Sequence, residues 1–151
     1  MIAKLKQFLK EFQDIPDPQQ QAHSINLAAA CMLLEVVYAD EKLDGAEARL
    51  LPEVLEQNLG ISATDCSTLL EEAKRNRNNA TSLFQFTSII NENFSLEQKQ
   101  QLVLSMWQLA YADGELCRYE DQIIRRSADL LYLKHSELIQ LRNRAIENPG
   151  H

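Results

Sequence analysis

Glycine and proline are scarce, with four of each in 151 residues, and the glycines are widely scattered. That excludes collagen-like and low-complexity chains and leaves no glycine-rich phosphate loop. Val, Ile and Thr are also sparse while helix formers dominate, which argues against a large sheet. The three cysteines, Cys31, Cys66 and Cys117, are odd in number and far apart. A disulfide framework or a zinc cluster needs close pairs, so free thiols in a reducing cytoplasm are expected. Long apolar runs are missing too. The longest, Leu27 to Leu34, falls far short of the ~20 residues that span a bilayer. Basic charge is in deficit, with 15 Lys and Arg against 22 Asp and Glu and a net charge of −7. Phosphate backbones and anionic lipid repel such a chain, so nucleic acid is not an expected partner and peripheral membrane association is not indicated.

What is present is helical periodicity. A chain of this length fits one domain that buries most of its apolar surface without metals or disulfides. Ile2, Leu5, Phe8, Leu9 and Phe12 recur at helical spacing with Lys4, Lys6 and Lys10 around them. The lysines and Glu11 interrupt any signal-peptide pattern. A membrane-surface helix has this composition, and so does a helix that covers a core; the second is expected, over residues 1–15. Ile15-Pro16-Asp17-Pro18 breaks it.

The main domain is expected over 19–148. Leu27, Cys31, Leu34 and Tyr38 form one face of a helix from about Gln19 to Tyr38, and Ala30, Leu33 and Val37 widen it until it reads as a central, buried helix. After a turn over 39–45, Asp44 caps a helix reaching Asn58, with Glu47 completing a capping box and Gly60 as a left-handed stop. Pro52 falls inside this helix and is expected to kink it. Further helices are expected from Ser62 into the polar stretch Lys74–Asn79, from Leu83 to just before Phe94, and from Ser95 (capped with Gln98) to Tyr111. Two more run from Tyr119 to Leu131 and from Ser136 to Ile146. The fold class is all-α, a single-domain bundle of about seven to eight helices.

Two segments match 73 positions apart. Tyr38-Ala39-Asp40 with Leu43 and Glu47 corresponds to Tyr111-Ala112-Asp113 with Leu116 and Glu120. A duplicated helix-turn-helix accounts for the match: an aromatic closes one helix, an acid follows, an apolar residue plugs the turn, and a second acid enters the next helix. Two pseudo-symmetric repeats, near 24–73 and 98–145, are therefore expected to pack their apolar faces together.

A small residue, Asp, Gly, an apolar residue and a later Glu, repeated twice in an all-helical chain, resembles the tellurite-resistance TerB family. The resemblance covers roughly Ser24 to Ala145. Ala112-Asp113-Gly114 follows the family pattern closely, whereas the first copy has Glu41 in place of Gly and Cys117 stands where the first copy has Asp44. Related domains accompany some membrane-anchored J-domain co-chaperones. The resemblance implies a role in tellurite resistance and wider chemical-stress responses, with divalent-metal binding by acidic residues. The matching positions here are Asp40, Asp44, Glu47, Asp113 and Glu120, with Glu41 and Glu115 nearby.

Two readings of these acids remain open. Acids at helix starts cap and solvate, each stabilising by ~0.3–1 kcal/mol. Facing hairpins can also gather carboxylates around a hard cation, Ca²⁺ or Mg²⁺, which relieves their mutual repulsion. An EF-hand is excluded, because counting from Asp40 or Asp113 places Leu51 or Ile124 where a bidentate Glu is needed.

His23, His135 and His151 form no nucleophile or zinc pattern, and no serine elbow occurs. Lys74-Arg75-Asn76-Arg77 and the pair Arg142 and Arg144 read as solvated helix ends. Trp107 sits beside a core stripe and is expected to pack rather than face a partner. A non-enzyme is expected: a cytoplasmic module that binds a partner protein, with or without a divalent cation. A metal-independent docking scaffold of the co-chaperone type is the alternative, and a carboxylate-based hydrolase the weakest reading.

Overall fold

The computed structural model describes residues 18–39, 45–76, 83–112 and 116–147, with the backbone alone over 45–48. Seven helices make up these residues, and no strand occurs among them: α1 (Pro18–Val37), α2 (Gly45–Leu59), α3 (Ala63–Asn76), α4 (Leu83–Asn93), α5 (Leu96–Ala110), α6 (Arg118–Leu130) and α7 (His135–Glu147). The bundle is all-α, as its periodicity requires. The amphipathic segment expected at 1–15 lies outside the described residues.

Two helices carry the core. Ala28 through Leu34 are buried without interruption in α1, and Leu102 through Ala110 likewise in α5. A helix buried on every side must lie at the centre of its bundle. Indeed α1 packs on α2, α3, α4, α5 and α6, while α5 packs on α1, α2, α6 and α7. The run Ala28-Ala29-Ala30 lets neighbouring backbones approach closely, and larger side chains such as Met32, Leu55, Trp107 and Ile124 fill the remaining space. Trp107 is fully buried, so it packs as expected.

Local chemistry sets the boundaries. Pro18 opens α1, where its missing N–H costs nothing. Ser95 and Gln98 form the full reciprocal cap of α5: the Gln98 N–H donates to Ser95 Oγ at 3.2 Å and the Ser95 N–H to Gln98 Oε1 at 2.8 Å. Pro52 does not break α2, which continues through it to Leu59. Polar residues inside α5 are matched rather than exposed. Asn58 Nδ2 of α2 donates to Ser105 Oγ and to Gln108 Oε1, each at 2.8 Å.

Helices α2 and α6 both end on a left-handed residue. Gly60 (φ +69) donates its N–H to Glu56 O, closing a simple left-handed cap. Tyr132 (φ +63) closes a Schellman motif, with its N–H on Asp129 O and the Leu133 N–H on Ala128 O. The last carbonyls of α6 gain side-chain donors, Asn91 Nδ2 to Leu130 O at 2.9 Å and Lys99 Nζ to Leu131 O at 3.3 Å. Lys99 Nζ also lies 5.8 Å from the Tyr132 ring centroid. A Cβ at Gly60 meets nothing within 4 Å, so Gly60→Ala carries only the backbone penalty. That substitution is expected to destabilise by ~1–2 kcal/mol in thermal melts. Tyr132→Gly is expected to act in the opposite sense, raising the melting temperature by relieving the same strain at an exposed turn.

Candidate functional site

The two acidic segments of the sequence follow helices that close in the same way. At the end of α1, Tyr38 N–H donates to Leu34 O at 3.0 Å and Ala39 N–H to Val36 O at 3.3 Å. At the end of α5, Tyr111 N–H donates to Trp107 O at 3.0 Å and Ala112 N–H to Leu109 O at 3.2 Å. The Tyr111 ring lies against Trp107, their centroids 6.2 Å apart. A tight helix end with a ring turned toward the core is what the shared Tyr-Ala pair produces.

Of the candidate ligands, Asp40, Asp44 and Asp113 lie outside the described residues, as do Glu41 and Glu115. Glu47 is in the first turn of α2 by its backbone. Glu120 is described fully. It occupies the first turn of α6, three residues after the extended N-cap Cys117, and is only 2 % exposed. Cys117 makes no side-chain cap, so the acids of this first turn, Glu120 and Asp121, are what complement the helix N-terminus. They divide the work. Asp121 faces outward and pairs with Arg125, 2.9 Å between Oδ2 and Nε. Glu120 turns inward on the same helix that buries Ile124 and Ser127. A carboxylate withdrawn from water in this way needs positive potential or hydrogen-bond donors about it, and the helix N-terminus is one source of them.

Among the described residues, no three His, Cys, Asp or Glu side chains lie close enough to hold a metal. The discounted groups behave as ordinary structure. His23 Nε2 contacts Glu72 Oε2 at 2.6 Å on the surface. Burial, then the charges of Glu35 and Glu72, push the Cys31 thiol up to about 11, and burial pushes Cys66 up as well. Both thiols stay protonated at neutral pH and are poor nucleophiles.

Sequence reasoning missed two features. One is the burial of Glu120, because an acid in a first turn reads as a solvated cap. The other is a pair of clefts flanking the N-terminal half of α1. One, of about 480 Å³, runs along α3 and is lined by His23, Ile61, Asp65 and Leu69. The other, of about 190 Å³, lies toward the α4–α5 junction and is lined by Ile25, Leu59, Phe94 and Gln98. Ala22 and Asn26 line both. Such clefts are assembled by elements distant in sequence and leave no local pattern.

No helix among the described residues is long and apolar enough to cross a membrane. No curated protein and no solved structure gives a significant match to the chain. A family model described as "Tellurite resistance protein TerB" matches residues 26–143, from the middle of α1 into the last turns of α7. That match covers most of the chain, and the described residues inside it form an all-helical bundle, so the chain belongs to the tellurite-resistance TerB family.

Proposed function

We propose that this chain is a non-enzymatic, cytoplasmic interaction module of the tellurite-resistance, stress-response type, and that its acidic corners take up a divalent cation when it docks a partner protein. The ligands in this reading are Asp40, Asp44, Glu47, Asp113 and Glu120. The observation that carries it is the burial of Glu120 at 2 % exposure, directly after an acidic turn. A carboxylate held in place by packing, next in the chain to further acids, is the kind of oxygen ligand a hard cation takes. Duplication is the companion inference. Helix starts recur 73 residues apart at Gly45 and Arg118, and 72 apart at Ala63 and His135, as expected for two copies of one hairpin.

Manganese, whose unpaired electrons broaden nearby nuclear resonances, tests whether both corners contribute. Substoichiometric Mn²⁺ is expected to broaden the amide signals of residues 39–47 and 112–120 together, and Asp40→Ala or Asp113→Ala should abolish the effect at both. Broadening at one corner alone, or none, overturns a shared ion site.

Metal-independent docking is the second reading, supported by the exposed Phe84, Leu96, Tyr119, Tyr132 and Ile146. Partner capture from a lysate that a chelator leaves unchanged favours it over the first.

A further inference from the structure

We propose that the groove formed by the two clefts along α1 is the docking site of this chain's own N-terminal segment, residues 2–12. This goes beyond the cation reading and does not depend on it. The groove crosses α1 at Ala22 and Asn26, and its apolar floor is Ile25, Leu59, Ile61, Leu69 and Phe94. Ile61 and Leu69 are buried, and Ile25, Leu59 and Phe94 are half-buried against the core. Residues 18–24 above them are exposed, although the helix that carries them becomes the centre of the bundle four residues later.

Position and charge both select the N-terminal segment as occupant. It joins the groove-bearing helix directly, and Pro16 and Pro18 in the sequence disfavour one continuous helix through the junction. Residues 13–17 bridge up to ~17 Å when extended, enough to turn back alongside α1. Ile2, Leu5, Phe8, Leu9 and Phe12 supply one apolar stripe at helical spacing. The segment carries three lysines and one glutamate, whereas the groove presents Asp65, with Glu72 behind His23, and no lysine or arginine lines it among the described residues. Basic flanks therefore meet acidic walls as apolar faces join.

Thiol protection tests the placement in the full-length chain. Cys31 and Cys66 are buried, so Cys117→Ser removes the remaining accessible native thiol. In that background Ala22→Cys places a reporter in the groove and Arg126→Cys one on an exposed face of α6. Adding Phe8→Asp with Phe12→Asp is expected to speed maleimide modification at position 22 by roughly tenfold while leaving position 126 unchanged. If Ala22→Cys disturbs folding, as judged by its circular-dichroism melt, Asn26→Cys serves as the groove reporter. Equal rates at the groove with and without the two aspartates overturn the proposal. So does protection that rises with protein concentration, which would mean a second copy fills the groove. Binding of the segment to anionic vesicles with the groove thiol still freely reactive would assign it to membranes and overturn the proposal as well.

Discussion

Trp107→Ala is expected to destabilise this protein by ~3–5 kcal/mol, a drop of roughly 6–20 °C in melting temperature at this chain length. Trp107 is fully buried in the last turn of α5, the helix that contacts α1, α2, α6 and α7. Removing its ring leaves a cavity among elements that cannot all close upon it. Since a domain's total stability is only ~5–15 kcal/mol, the variant should be largely unfolded at modest urea concentrations. Trp107→Phe should behave differently. The indole Nε1 is buried without a hydrogen-bond partner, and such an N–H carries a desolvation cost of ~1–3 kcal/mol that phenylalanine removes. That relief offsets part of the smaller cavity, and the net loss should stay within ~1–2 kcal/mol. Urea denaturation followed by far-ultraviolet circular dichroism measures both. Comparable large losses in the two variants would mean that the indole N–H is satisfied in solution.

Most helix boundaries were legible because they are written in local chemistry. The Ser95–Gln98 cap, Gly60 and Pro18 each act through atoms within a few residues, and the broad stripe from Leu27 to Tyr38 identifies the central helix α1. Burial of α5 was only half legible. Leu102, Met106 and Leu109 show its inner face, but Ser105 and Gln108 look like surface residues until Asn58, some fifty residues away, supplies their partner. Tyr132 was not legible at all, since nothing in a tyrosine announces a left-handed turn. The Schellman hydrogen bonds and the donors Asn91 and Lys99 hold it there. At the candidate site, the sequence singled out Glu120 by its position in a repeated turn. Its inward direction depends on how α6 packs, and packing is a tertiary property.

The largest effect expected of a ligand is cation stabilisation. An ion that binds only the folded chain adds ~2.7 kcal/mol at a hundred times its dissociation constant, or roughly 5–11 °C for a domain of this size. Glu120→Gln separates the two roles open to this residue. Glutamine fits the third position of a capped helix nearly as well as glutamate, so the metal-free melting temperature should fall by only a few degrees. It is a far weaker ligand for a hard cation, so the added stability should vanish.

The decisive measurement is therefore the melting temperature of the wild-type chain and of Glu120→Gln, each with and without millimolar Ca²⁺ or Mg²⁺. A rise confined to the wild type supports a buried carboxylate held for an ion. Equal rises in both proteins, or no rise with either ion nor with Mn²⁺ or Zn²⁺, would contradict it and leave Glu120 as a helix cap.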